Sequence, residues 1–540
     1  MRKILVLLCI SGILFQSCAN KKRMANAASE TAGTATENAR RAEVLFLGNV
    51  SRHHDSGKYA PWLAIELFKS GINLSYTNDP EDLNEENLAK YDGLIIYANH
   101  DVLAPAQEAA LKSFVENGKG LIPLHSASGC FINSEWYVNT VGGQFASHGN
   151  GTFTTQIVKP EHPVMAGITE FSTTDETYVH QKLNPDIQVL MERTEGAKKE
   201  PYTWVRNQGK GRVFYTAYGH DDATWKNGSF LKLVRNGVLW AIGDDVKGKI
   251  ANLKIPDVSI YADTIANFTA RHIVPKIQEG LKATESMKLM QVPADFEIQL
   301  FAADPDITNP IAMSWDERGR LWIVESVDYP NTFTETDGAA NDRIKICEDT
   351  DGDGRADKFT IFADSLNIPT SLVFANGGVV ISQAPNMLLL KDTNGDDKAD
   401  YEQILSTGWG KNDTHAGPSN LQYGFDNKIW GVVGYAGFRG QMNGSNMRFG
   451  QGVYRFNPDG KDFQYLASTS NNTWGLGFTE DNNVFISTAN NTHSAFYSMP
   501  ASYMDKKFAG SDLNPVQKID GHYDVHAMIP NLRQVDVVGG

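Results

Sequence analysis

Four short apolar runs, each leading into a polar loop with a histidine, constrain this chain more than any other feature. Residues 43–49 lead into Ser51-Arg52-His53-His54-Asp55, and residues 93–97 into Asn99-His100-Asp101. Residues 120–124 lead into His125-Ser126, and 212–218 into Gly219-His220-Asp221. Apolar runs of this length read as buried strands. Helical spacing of apolar residues intervenes, with Trp62, Ile65, Leu67 and Phe68 within 61–70, and again over 105–117 and 228–242. Strands alternating with helices predict an α/β unit over 42–243, a parallel sheet with helices on both faces. Ligands of such sheets bind in the crevice at the carboxyl ends of the strands. Any one of these histidines is more often structural. Thirteen histidines placed at random in 540 residues would seldom follow each of four strands, so the set marks a candidate site.

Further residues of the same segment carry a family resemblance. They are Leu124-His125-Ser126-Ala127-Ser128-Gly129, Trp136-Tyr137, Gly142-Gly143-Gln144-Phe145 with His148, and His162-Pro163. Asp175-Glu176-Thr177-Tyr178, Gly209-Lys210-Gly211-Arg212, Gly219-His220-Asp221 and Leu239-Trp240-Ala241 follow in order. Over 42–243 this pattern resembles the ThuA-like (trehalose-utilisation) family, similar in fold to class I glutamine amidotransferases. The resemblance implies a flavodoxin-like sheet and the processing of disaccharides or their oxidised (keto) forms. At the strand-to-helix elbow, where an amidotransferase has its nucleophilic cysteine, this chain has His125-Ser126. Cys130 falls too late to serve, so glutaminase chemistry is not expected. His125, Glu176 and His220 are the expected acid–base residues, since imidazole and carboxylate exchange protons near neutral pH. His54, His100, Ser126, Trp136, His148, Asp175, Tyr178 and Asp221 are the expected substrate contacts, Trp136 and Tyr178 as stacking aromatics or as core. Alternatively His54, His125, His220 and an acid hold a divalent metal, although no short ligand spacing such as His-Glu-x-x-His is present.

After a polar, helical connector over 244–290 with no strong strand, the pattern changes. The stretch from Met313 to Ile323 recurs from Leu421 to Gly431 and from Leu476 to Ile486, with a degenerate copy from Leu372 to Val380. Each pairs two apolar strands around an Asp/Asn/Gly turn. Repeats of about 50 residues suit propeller blades, four to five of them within 291–540. With no closing strand evident before Gly540, the ring is expected to be completed beyond this sequence or by another chain. Phe301-Ala302-Ala303-Asp304-Pro305, Pro310-Ile311-Ala312-Met313, 324–330 and 348–354 resemble the membrane-bound dehydrogenase-like propellers related to glucose/sorbosone dehydrogenases. That resemblance implies pyrroloquinoline quinone as cofactor, His415 as the base before the Gly424–Ile429 turn, and Arg439 as a partner of cofactor carboxylates. It also implies a separate cytochrome or other electron acceptor, because no Cys-x-x-Cys-His motif for covalent haem is present. A surface glycan-binding lipoprotein without turnover, or a metal-dependent sugar hydrolase or isomerase in the first domain alone, is the alternative. Asp349, Asp351 and Asp353 with Asp357, and Asp392, Asn394 and Asp396 with Asp400, space oxygen ligands as calcium requires. Both loops lack a glutamate at the twelfth place.

The net charge of −15 argues against nucleic acid as a partner, since no basic stripe exists to neutralise phosphates. Residues 1–18 read as an export signal, with basic Arg2 and Lys3 before an apolar run too short to span a bilayer. Ser17-Cys18 resembles a lipoprotein cleavage box, which makes Cys18 the expected lipid acceptor and the protein a membrane-tethered envelope component. Polar residues 19–41 read as its disordered tether. Of four cysteines, only Cys130 and Cys347 fall outside the signal, in different expected domains, so no disulfide is expected. The dehydrogenase resemblance is directly testable: with quinone and an artificial acceptor, glucoside oxidation is expected and His415→Ala should abolish it. Oxidation that survives the substitution removes His415 as its base.

Overall fold

Nine strands of the first half join into one sheet in the order β2-β1-β3-β4-β9-β8-β7-β5-β6. They are β1 (Ala42–Gly48), β2 (Ile72–Thr77), β3 (Gly93–Tyr97), β4 (Gly120–Pro123), β5 (Gln144–Ile157), β6 (Ser172–Gln181), β7 (Gln188–Glu195), β8 (Lys198–Gln208) and β9 (Gly211–Thr216). The computed structural model describes residues 39–51, 54–257, 260–262, 276–278, 280–329, 340–469, 471–489, 492–503 and 515–519. The expected signal, Cys18 and most of the expected tether lie outside these residues. The chain divides into two compact units, 1–259 with 280–298, and 260–279 with 299–540.

Strands β2, β1, β3, β4 and β9 run parallel, as the alternation predicts. Most of their apolar side chains are buried, with Val44, Phe46, Leu94, Ile95, Leu121 and Phe214 fully enclosed. Helices Ser56–Phe68, Pro105–Glu116 and Gly228–Ala241 flank the sheet. The chain leaves β1 for β2 on one side and returns to β3 on the other, so the ends of β1 and β3 bound a topological switch point.

The other half of the sheet is an antiparallel extension that the alternation does not predict. Strands β5 to β9 are joined antiparallel along β9-β8-β7-β5-β6. No apolar run announces β5, whose Ser147-His148-Gly149-Asn150-Gly151 stretch is polar and mostly exposed. Tertiary pairing, not local pattern, makes it a strand.

Two boundary expectations also change. Residues Arg40 and Arg41, assigned to the tether, belong to the fold. The Arg40 guanidinium donates to both carboxylate oxygens of Asp92 at 2.7 and 2.8 Å, and Arg41 donates to Asn73 Oδ1 at 2.6 Å. The connector contains the helix Gly243–Leu253 and the short helix Ala283–Met287, and also a strand pair, Ile260–Ala262 with Lys276–Gln278.

In the second unit, four four-stranded antiparallel sheets form a propeller-like arrangement among the described residues. Each copy of the repeat supplies the first two strands of one sheet: Pro310–Trp315 with Leu321–Glu325, Ser371–Ala375 with Gly378–Gln383, Pro418–Tyr423 with Ile429–Val433, and Thr473–Phe478 with Val484–Thr488. The turns need left-handed backbone, met by Gly319, Asn376, Asn427 and Asn482. The repeat's aspartate is structural: Asp316 accepts from the Trp322 indole at 3.0 Å and Asp426 from the Trp430 indole at 2.9 Å. Those indoles then meet Phe374 and Phe478 of the next sheet edge-on, packing one blade against its neighbour. The third sheet carries an inserted hairpin, Phe438–Met442 with Ser445–Phe449.

The Gly209-Lys210-Gly211 motif has a packing reason. A Cβ at Gly211 would run into the carbonyl oxygens of Val115 and Lys119, so only glycine lets β9 start beside the helix end. Gly211→Ala should lower the Tm of the first unit by about 2–10 °C, measured by calorimetry. An unchanged Tm would mean that the backbone there has room to yield.

Candidate functional site

Three strand ends and one antiparallel strand bring His54, His125, His220 and Glu176 together, with one ligand atom of each within 4.8 Å of the others. His54 follows β1, His125 follows β4, His220 follows β9, and Glu176 lies on β6. His125 Nε2 lies 3.4 Å from Glu176 Oε2. His220 Nδ1 lies 3.3 Å from the same oxygen and 3.4 Å from His54 Nε2. His148, on β5, approaches the other oxygen, Oε1, at 3.3 Å. His125 is fully buried, whereas the His148 side chain is 44% exposed. The cluster therefore has a floor and a rim.

His125 occupies the elbow between β4 and the short 3₁₀ turn His125–Gly129, with φ +46°. Left-handed backbone is costly for a residue with a Cβ and is found where surroundings enforce it. Here its carbonyl accepts from Ser128 Oγ at 3.1 Å and Tyr215 Oη at 3.2 Å. Its Nδ1 meets the Ala217 carbonyl at 2.7 Å, and Tyr178 stacks on the ring at 4.2 Å between centroids. A carbonyl only accepts, so Nδ1 carries the proton and Nε2 faces the cluster.

Asp175 sets the place of His220. Its buried carboxylate accepts from Gly219 N at 2.8 Å, His220 N at 2.9 Å and Thr224 Oγ1 at 2.8 Å. The Gly219 carbonyl is held in turn by Tyr97 Oη and Trp225 Nε1, both at 2.7 Å. For Glu176, burial alone would raise the carboxyl pKa. Contact with His125 and the charges of His125, His220 and His148 outweigh it and hold Glu176 below its ordinary value.

Several expected substrate contacts have other partners. Asp175 is fully buried and binds backbone, so it positions rather than touches substrate. Tyr178 is 4% exposed and backs the His125 ring instead of offering a stacking face. Trp136 packs against the core and donates to Glu116 at 3.4 Å. His100 turns to the Gly48 carbonyl at 3.2 Å and stacks on Phe131. Ser126 is buried, and Asp221 caps the short helix Asp222–Trp225 through its backbone. Cys130 is buried, and burial pushes its thiol pKa up, in keeping with a core residue. Of the residues that hold the site together, Tyr215 closes the motif that runs from Gly209 and Tyr97 ends a predicted strand, whereas Thr224, in the helix Asp222–Trp225, carries no signal in the sequence.

In the second unit, His415 is exposed and meets the Tyr329 hydroxyl and, at 3.5 Å, Asp413. Arg439 is exposed on the inserted hairpin, opposite Arg448. Asp349, Asp351 and Asp353 each bring an oxygen within 4.8 Å of the others, while Asp349 also accepts from Gly352 N and Gly354 N. Asp357 instead accepts from Thr350 Oγ1 at 2.7 and 2.9 Å. Asp392 and Asp400 repeat this arrangement, accepting from Gly395 N and Thr393 Oγ1.

No curated protein matches the chain. Residues 282–538 match a family model described as a domain of unknown function (DUF7133). Among solved structures, a ThuA-like protein from Bacteroides uniformis is 22% identical, covers 37% of this chain and 91% of its own, and has a TM-score of 0.32. A ThuA-like protein from Parabacteroides merdae is 16% identical, covering 38% and 90%, with a TM-score of 0.34. A cytoplasmic protein from Salmonella typhimurium is 15% identical, covering 37% and 98%, with a TM-score of 0.29. Residues 43–241 match the family model described as trehalose utilisation, and the α/β unit with its strand-end histidines therefore carries a ThuA domain.

Proposed function

We propose that the α/β unit processes a carbohydrate, a disaccharide or its keto form, by proton transfer at Glu176 and the histidines around it. One observation carries this: the Glu176 carboxylate lies 3.3–3.4 Å from three imidazoles, those of His125, His148 and His220, at the carboxyl end of a parallel sheet. The match of residues 43–241 to the trehalose-utilisation model supports a sugar as the substrate class. Ionised near neutral pH, Glu176 is suited to accept a proton. In a keto sugar the hydrogens next to the carbonyl are the acidic ones, and an imidazolium beside the base can protonate the departing or carbonyl oxygen. His148, against Glu176 Oε1 and open to solvent, is placed to exchange the proton with water.

Glu176→Gln keeps the shape and removes the base. Turnover of an oxidised disaccharide should fall by about 10²–10⁴-fold. Activity within a few-fold of the parent would exclude Glu176 as the base. Asp175→Asn faces an amide N–H toward donors and should cost about 1–3 kcal/mol of stability. Hydrogen exchange at the Gly219 and His220 amides should accelerate, and unchanged protection there would contradict the positioning role.

A further inference from the structure

We infer that His54, His125, His220 and Glu176 together bind one divalent transition-metal ion, which deepens the carbohydrate reading above and rests on the same site. With Nδ1 of His125 donating to the Ala217 carbonyl, Nε2 presents a lone pair unless it takes up a second proton. That nitrogen is buried without a hydrogen bond, 3.4 Å from a carboxylate oxygen that also presents lone pairs. A ring nitrogen and a carboxylate oxygen facing each other in a buried place need positive charge between them, a second proton or a metal ion.

Distance argues for a metal over a proton. A proton shared between such groups draws them to about 2.7–2.9 Å. The separations here are 3.4 Å for His125 with Glu176, 3.3 Å for His220 with Glu176, and 3.4 Å for His220 with His54. Ligand atoms about 2.0–2.1 Å from a tetrahedral ion stand about 3.3–3.4 Å apart along each edge. The three separations thus match edges of one coordination tetrahedron.

Donor chemistry and outer contacts agree. Three imidazole nitrogens and one carboxylate oxygen suit zinc, manganese, iron, cobalt or nickel rather than calcium or magnesium. Ligating histidines usually engage a second group through their other nitrogen. His125 does so with the Ala217 carbonyl, and the Asn99 amide lies 3.4 Å from His54 Nδ1. The backbone of His220 is fixed by Asp175. A bound ion would polarise a sugar carbonyl or acidify a coordinated hydroxyl or water, and adjacent hydroxyl and carbonyl oxygens of a keto sugar are natural chelators. Because the ligands come from separate elements, no short sequence motif announces the site.

The test uses the full chain, stripped with chelator and titrated calorimetrically with Zn(II), Mn(II) and Co(II), with the visible spectrum of the Co(II) form recorded. One ion per chain is expected, with a raised Tm and the intense absorption of four-coordinate cobalt. His125→Asn, which tolerates the left-handed backbone, and His220→Ala should each weaken binding by at least about 100-fold. His162→Asn, at a distant helix cap, should leave it unchanged. Should either ligand variant fail to fold, His54→Gln and Glu176→Gln read out the same site. Absence of binding, or binding indifferent to all four ligand substitutions, overturns the proposal. Because calorimetry needs no sugar, ion binding without turnover of any keto sugar would sink the carbohydrate reading and leave the metal site standing. Full turnover by protein that binds no ion would do the reverse.

Discussion

The carboxylate of Asp175 is the contact on which the site depends. An ion enclosed in protein costs several kcal/mol unless its lone pairs are met by donors. Asp175 meets them with the amides of Gly219 and His220 and the hydroxyl of Thr224. The pairing works in both directions. The β6 strand cannot shift without stranding a charge, and the loop after β9 cannot move without stranding two N–H groups. Since Glu176 is the next residue, the bond that fixes the His220 backbone also fixes the carboxylate opposite its ring.

The parallel half of the sheet does the remaining positioning. Four strand ends lie side by side because β1, β3, β4 and β9 are adjacent, and whatever follows them shares one crevice. The strained backbone at His125 becomes intelligible there. Its φ of +46° turns the ring from the strand direction into the cluster, and Tyr215 and Ser128 hold the carbonyl that this turn exposes. This chain uses the elbow for an imidazole, with Cys130 sealed in the core.

Much of this was legible in the sequence, and the rest was hidden for physical reasons. Apolar runs locate where strands end, so His54, His125 and His220 could be assigned to one face. Periodicity does not say which way a loop side chain turns, and His100, which satisfies the Gly48 carbonyl, was indistinguishable from its neighbours. The motif around Asp175 to Tyr178 marked the right segment, but not that Asp175 and Tyr178 are buried, because burial there depends on β5 and β8, whose pairing is tertiary. Strand β5 is too polar to show a strand pattern. In the second unit the repeat was visible because each copy encodes the same hairpin, down to the Asp–Trp hydrogen bond in two of them.

The central claim is that side chains from separate elements of the ThuA domain converge on a single cation. Diffraction from crystals of the chain, recorded at the absorption edges of zinc, manganese, iron, cobalt and nickel, tests it most directly. The account predicts one strong anomalous peak within bonding distance of His54 Nε2, His125 Nε2, His220 Nδ1 and Glu176 Oε2. Ordered side chains with no peak among them, in crystals soaked with each metal, would contradict it.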